Sequence, residues 1–353
     1  MGKSKSRKKS KTKKNYETKK KSETKKKSET KKKSETSNYN TRKYKRKESK
    51  NNNKINYPLT SKIFDTKNST FSEFKKLRCS PSRIQKNKNF TCYLDTELEK
   101  LKNMWNKRHP DVLIKDTDSY NIWLKLKNNM SSLCNEESCW LKQKFADNDS
   151  INKSQLLNYA FAPKSPEKWK LNINEWLSSV DIEKVMKQWE QRVPSFIFIG
   201  PSPIDFDDKV NNGCVWNDLC NFDIEKHIKN DKNKIGIIFN LDKHYQSGSH
   251  WVSLFINISK EFICFFDSNG TKCPKRIKDL VERIKEQGKD INCNFRFIEN
   301  SPTQHQKKNT ECGMYSLFFT IHMLCEAKEP DFFKENAISD EEMEKYRPIY
   351  FNI

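Results

Sequence analysis

The stretch "GMYSLFFTIHMLCE", residues 313–326, restricts the architecture of this chain more than any other. Met314, Leu317, Phe318, Ile321, Leu324 and Cys325 recur at helical spacing, and most positions between them are apolar too. A helix that is apolar nearly all round has no wet side, so other elements must cover it completely. The cover is written upstream, beyond Pro194. "SFIFIG", "KIGIIFNL", "HWVSLFINI" and "EFICFFD" are short runs rich in Ile, Val and Phe. The last two, split by the polar "SKE", read as a hairpin or as neighbouring strands. An α+β fold follows, with a central mixed β-sheet around a buried helix.

Cys312 stands at the N-terminus of that helix. Free N–H groups and the positive end of the helix dipole favour a thiolate there. Most buried cysteines are inert packing residues, so position alone does not make a nucleophile. A nucleophile needs a base, and the base needs an orienting acceptor. Only 41 residues follow Cys312, and His322 is the sole histidine among them. It falls inside the buried helix and reads as packing, so the base must come from upstream. His250 opens one strand run and Asp267 closes the next, seventeen residues later. A hairpin would set the two side by side. His244, six residues before His250 in a loop, is the weaker candidate base. Gln306 lies six residues before Cys312 on the loop entering the helix. Its amide and the Cys312 N–H would make an oxyanion hole, a role for which Gln304 competes.

The rest of the chain divides by composition. Residues 1–54 hold 24 Lys/Arg against 5 Glu, a net of +19 out of +23 for all 353 residues. Between Glu17 and Thr36 the hexapeptide "ETKKKS" repeats about three times without a large apolar residue. Such a segment cannot bury enough surface to offset its ordering entropy, so residues 1–55 read as a disordered tail. It serves either as a solvated, solubilising tail or as an arm for non-specific nucleic-acid binding. Gly2 with Ser6 also fits an N-myristoylation pattern, for which a polybasic stretch is the usual second anchor.

Residues 56–191 read as a mostly helical arm, and 192–353 as the catalytic domain. In the arm, Leu94, Leu98, Leu101 and Trp105 fall on one stripe, as do Ile182, Val185, Met186 and Trp189. Cys134 and Cys139 have the look of half a metal site, but no second Cys/His pair accompanies them, which favours packing. No cofactor or metal is called for. Eleven scattered cysteines cannot all pair, and the basic start "MGKSKSRKKS" is not a secretory leader. Reduced thiols in a cytosol-like compartment are therefore expected. No apolar run reaches the about 18 residues that a bilayer span needs.

The blocks "SHWVSLFI", "FFDSNG" and "QHQKKNTECGMYSLFF" resemble the His-Trp, Asp-Ser-x-Gly and Gln-x5-Cys-Gly-x-Tyr blocks of the SUMO-specific protease superfamily. That superfamily includes the adenovirus-type proteases. "FIGPSPIDF" and "IIFNLDKHYQSGSHWV" are more similar still to its branch of polyprotein proteases from African swine fever virus and giant viruses. The similarity covers about residues 195–330. It implies His250 as base, Asp267 as its orienter, Gln306 in the oxyanion hole and Cys312 as nucleophile. It also implies that Trp251 and Trp216 wall a narrow groove suited to Gly-Gly sites, although Trp251 reads equally as a core aromatic. The implied function is that of a cysteine endopeptidase maturing viral structural precursors, in the virion and the host cytoplasm. Two other readings stay open: a deconjugating protease acting on ubiquitin-like modifiers, and a nucleic-acid-binding virion protein that uses the fold as scaffold. The family's longer "WLND" motif lacks its Leu here, in "VWNDL".

Deleting residues 1–54 is expected to leave cleavage of a short peptide near full rate and to remove most duplex-DNA affinity. The full chain's binding should fall with salt at a log–log slope of about −0.9 per phosphate neutralised. Binding measured at two salt concentrations, beside peptide turnover, checks both; a slope unchanged by the deletion would move the nucleic-acid contact elsewhere.

Overall fold

The computed structural model describes residues 78–84, 90–147 and 151–352. The basic tail, its repeats and Gly2 lie outside the described residues. Five strands form one mixed sheet: β1 (Phe196–Pro203), β2 (Lys234–Asn240), β3 (Trp251–Asn257), β4 (Phe262–Phe266) and β5 (Arg296–Glu299), ordered as numbered. β2, β3 and β4 are antiparallel neighbours, while β1 joins β2 and β5 joins β4 in parallel. β3 and β4 are thus a hairpin. The parallel β4–β5 connection needs a crossover, supplied by the helix Lys275–Asp290.

Alternation along the strands sends side chains to two cores. On one face Ile235, Ile237, Val252, Leu254, Ile263 and Phe265 meet Ile277, Leu280, Val281 and Ile284 of the crossover helix. On the other, Phe196, Phe198, Phe255 and Phe266 meet the helix Cys312–Leu324, all thirteen residues of which are buried. Two more helices cover that helix from outside: Ser179–Arg192, through Ile182, Val185, Met186 and Trp189, and the C-terminal Asp340–Tyr350. Helix Ser179–Arg192, placed with the arm by periodicity, therefore packs on the sheet. It starts on a capping box in which Ser178 and Asp181 bond each other's backbone N–H.

A separate cluster forms the arm's own core. Helices Asp95–Arg108 and Ser119–Met130 contribute Leu98, Leu101, Trp105, Ile122, Leu126 and Met130. Leu94 is not on the buried stripe; it precedes the first of these helices and is 38% exposed.

The expectation of reduced thiols fails for six cysteines. Cys79–Cys92, Cys134–Cys139 and Cys214–Cys220 are disulfides, with Cα separations of 5.3, 5.6 and 6.2 Å. All three close short loops of the chain, a proximity that cysteine counting does not reveal. The half metal site at Cys134 and Cys139 is one of these pairs. Among the described residues no group of His, Cys, Asp and Glu could hold a metal ion, and no helix is long and apolar enough to cross a membrane.

The sheet and the central helix meet closely at Gly236 of β2. A Cβ there would lie 2.8 Å from Thr320 Cγ2 and 3.0 Å from the Phe196 ring. Thr320 cannot swing its methyl away without giving up the bond from its hydroxyl to the Ser316 carbonyl. Gly236→Ala should therefore cost about 1–3 kcal/mol in urea unfolding, as overpacked core positions do. Gly213→Ala, where the nearest atom is 3.7 Å away, should be near neutral. Equal losses would mean that the helix is not seated this tightly.

Candidate active site

Register places the site. β3 and β4 pair with Ser253 opposite Phe266, so the residue preceding β3 and the residue following β4 come together at one sheet end. These are His250 and Asp267, and the imidazole Nε2 lies 2.7 Å from the Asp267 carboxylate. Asp267 is 2% exposed, and the Asn269 N–H donates to the same carboxylate oxygen at 2.8 Å. Asn300, just past β5, grips the Asp267 backbone from both ends of its amide: Oδ1 accepts the N–H and Nδ2 donates to the carbonyl, each at 2.8 Å. Sequence reasoning missed Asn300, because its partner lies 33 residues away across the crossover.

The Cys312 thiol is near enough to the His250 imidazole to act on its proton. Nε2 is engaged by Asp267, which leaves Nδ1 as the nitrogen available to a thiol. Burial alone would push the His250 proton off. The Asp267 hydrogen bond and the influence of Asp267 and Cys312 more than offset it and hold His250 up at about 9. No side chain caps helix Cys312–Leu324, so its first N–H groups are not engaged by a capping residue.

Gln306 is 4% exposed and tightly held. The Ser268 hydroxyl donates to its Oε1 at 2.8 Å, and the Gln306 backbone N–H donates to the Ser268 carbonyl at 2.9 Å. Its Nε2 donates to the Lys308 carbonyl. The amide is thus oriented with its oxygen on Ser268 and its nitrogen turned the other way. Gln304 is exposed and donates back to the Gln306 carbonyl at 2.9 Å. Of the two glutamines, Gln306 is the one held inside the loop.

The loop itself is clamped by the C-terminal segment. His305 lies between the Phe333 carbonyl at 2.9 Å and the Ile338 N–H at 3.1 Å. Burial pushes its imidazole down, in keeping with a neutral ring that donates once and accepts once. The Asp340 carboxylate accepts the N–H groups of Lys307 and Lys308 at 3.0 and 2.9 Å and the Tyr315 hydroxyl at 3.1 Å. Arg347 pairs with Glu311, the residue before the nucleophile, at 2.6 Å with both side chains buried.

The remaining candidates sit elsewhere. His244 belongs to a different carboxylate: its Nδ1 lies 2.8 Å from buried Asp205, which also accepts the His244 backbone N–H at 2.9 Å. His322 is a packing residue, stacked on Phe318 and bonded to that residue's carbonyl, and burial pushes it down to about 3. Trp251 is 8% exposed within the core beneath the site, and its indole N–H donates to the Leu177 carbonyl at 3.1 Å. Trp216 is half-buried against the core on the opposite face of the sheet. The two tryptophans therefore belong to different hydrophobic clusters.

A thiol at the head of a buried helix thus stands near an imidazole that a buried carboxylate holds. The model of the Ulp1 protease family, C-terminal catalytic domain, matches residues 173–352, and the chain belongs to this cysteine protease family. A protein of Acanthamoeba polyphaga mimivirus named as a candidate thiol protease is 30% identical over 291 residues, covering 77% of this chain and 92% of its own length. A SUMO-1 cysteine protease of African swine fever virus is 26% identical over 233 residues, 62% of this chain and 84% of that protein. The crystal structure of an African swine fever virus protease has the same fold, with a TM-score of 0.60 at 22% identity over 78% of this chain and 96% of that one.

Because His250 is held above the 6.5 of a free imidazole, it keeps its proton below about pH 9 and loses it as the pH rises through that value. An NMR titration of the ring should show this midpoint, and Asp267→Asn should move it down. A midpoint indifferent to Asp267→Asn would mean that the carboxylate does not hold the proton.

Proposed function

We propose that this chain is a cysteine endopeptidase that cleaves viral structural precursor proteins at Gly-Gly-X-type sites during particle maturation. The observation that carries the reading is the His250 imidazole bonded to buried Asp267, near Cys312 at the head of its helix. Family membership and the viral relatives support the protein-substrate and viral parts of it. The proposed place of action is the virion and the host cytoplasm, with the basic tail adding non-specific nucleic-acid contact and Gly2 an acylation point.

In the proposed mechanism His250 holds the proton of Cys312 as an imidazolium, kept in place by Asp267. The thiolate sulfur attacks the scissile carbonyl carbon, and the negative charge passes to the carbonyl oxygen. The Cys312 N–H and the Gln306 amide stabilise that oxygen. As the tetrahedral adduct collapses, the C–N bond breaks and the imidazolium proton goes to the departing amine. A thioester remains on Cys312. Water, giving a proton to His250, adds to the thioester carbonyl, and release of the acid returns the thiol. Trp251, under the site, supports a narrow floor for small residues; Trp216 is proposed as the opposite wall.

A second reading is favoured by one finding. The African swine fever virus relative is named a SUMO-1 cysteine protease, so a deconjugating activity on ubiquitin-like modifiers belongs in the same assay. Gly-Gly-X peptides tested beside a ubiquitin-like adduct separate the two. The scaffold reading predicts cleavage of neither.

Cys312→Ser should abolish cleavage of whichever substrate is accepted while leaving the fold intact. Gln306→Ala should lower turnover by roughly 10²–10³-fold, the usual loss for one oxyanion donor, and Gln304→Ala should be mild. Near wild-type turnover in Cys312→Ser would end the mechanism, and a reversed order of the glutamines would move the oxyanion role to Gln304.

A further inference from the structure

Residues 171–180, "LNINEWLSSV", join the arm to helix Ser179–Arg192 and touch residues adjacent to the candidate site. Leu177 fixes the segment there in two ways. Its carbonyl accepts the indole N–H of Trp251, the residue after His250, at 3.1 Å. Its side chain packs on Gly313, the residue after Cys312, so closely that a Cβ on Gly313 would lie 3.0 Å from Leu177 Cβ. Upstream, the Trp169 indole donates to the Glu175 carbonyl at 3.0 Å, and the Glu175 N–H donates to the Asn172 carbonyl at 3.1 Å. The segment is therefore held in a folded turn by these bonds and by the contact of Leu177 with Gly313.

Its outward side is unusually apolar. Leu171 is 96% exposed, Ile173 43%, Trp176 42% and Val180 52%. Four of the twelve large apolar side chains exposed among the described residues thus fall within ten positions, and Trp176 is the one tryptophan in that set. Scattered single apolar residues on a surface need no explanation, but a concentration of them marks an interaction site. Tryptophan is also the side chain that most often anchors a partner.

We propose that residues 171–180 form a docking surface for the polypeptide substrate, on which Trp176, with Leu171 and Ile173, receives apolar side chains that flank the scissile bond. The inference rests on the protease reading and adds to it a substrate class: extended protein segments carrying a large apolar residue a few positions from the small residues at the cleavage point. Continuity with the site selects this occupant, because the residue next to Trp176 touches the immediate neighbours of both His250 and Cys312. An extended chain advances about 3.3 Å per residue, so a substrate lying in the site passes this surface within a few residues.

The test compares a short peptide spanning only the Gly-Gly-X site with long peptides whose flanks carry either Leu and Phe or Ser at the same positions. The wild-type chain should prefer the long apolar peptide in kcat/KM. Trp176→Ala should reduce that preference on the order of tenfold, the scale of losing one aromatic anchor, chiefly through KM. Leu133→Ser, which removes an apolar side chain 71% exposed in the arm, should not change it. No preference for apolar flanks in the wild type, or an unchanged preference in Trp176→Ala, overturns the proposal. Binding of the same labelled long peptides to the Cys312→Ala chain, followed by anisotropy, gives a readout independent of turnover. If no peptide is cleaved, the protease reading fails. The docking surface then still stands or falls on whether Trp176→Ala removes binding of the apolar peptide. Sedimentation supplies the last arm: a dimer dissolved by Trp176→Ala would assign the surface to a second copy of the chain and overturn the proposal.

Discussion

The antiparallel register between β3 and β4 is the constraint on which the rest of the site depends. Successive side chains along a strand point to opposite faces, so a slip of one residue would send His250 and Asp267 to different sides of the sheet. Both strands are buried on both faces, with Phe255 and Phe266 in one core and Leu254 and Phe265 in the other. A slip would therefore misplace several aromatic and branched side chains at once. At about 1.5–3 kcal/mol for each fully buried apolar side chain, the penalty exceeds the worth of any single hydrogen bond. Packing fixes the register, and the register places the imidazole beside the carboxylate. The 2.7 Å bond between them is a consequence of the hydrophobic pattern and contributes little to maintaining it.

The nucleophile's side of the site is positioned differently, by polar contacts. The loop 304–311 has few apolar residues to bury, and its conformation comes from Ser268 on one flank and from Phe333, Asp340 and Arg347 on the other. The Glu311–Arg347 pair is the costliest of these. Burial pushes the Glu311 carboxyl up while Arg347 opposes it. A buried pair of this kind adds little net stability, but removing one partner leaves the other charge stranded, at about 3–5 kcal/mol. Its effect is therefore one of specification: Glu311, directly before Cys312, has a single low-energy place to be. The guanidinium also lies 4.4 Å from the centre of the Trp169 ring, which ties this corner to a residue far upstream in the chain.

What could be read from the sequence was what repeats or what is extreme. The four longer strands announce themselves by branched and aromatic runs, and helix Cys312–Leu324 by having no polar face. His250, Asp267 and Gln306 could be proposed because each lies at the edge of such an element, so approximate boundaries were enough. The crossover helix and β5 offered less: Lys275–Asp290 carries a thin apolar stripe among charges, and only Phe297 and Ile298 are apolar in the four residues of Arg296–Glu299. Asn300, Ser268 and Asp340 act through backbone atoms of residues far away in the chain, or through a neighbour's amide, and such contacts leave no periodic trace. The disulfides were missed for a related reason, since the odd number of cysteines excludes complete pairing but not three local pairs.

The division into arm and catalytic domain is where pattern and packing part most clearly. A helical stripe says that a helix has a buried face; it does not say which core receives it. Ile182, Val185, Met186 and Trp189 look equally suited to a helical bundle, yet they are buried against the sheet's own helix. The residues before them go further. Leu177 supports Trp251 and closes over Gly313, and Trp169 covers the guanidinium that holds Glu311. Both flanks of the candidate site thus lean on residues 169–189. Gly313 suits this arrangement: a Cβ there would lie 3.0 Å from Leu177 Cβ, so a larger side chain would ask Leu177 to give way beside the nucleophile. The segment that connects the arm to the sheet is in this sense part of the site's construction, and the catalytic unit begins well before its first strand.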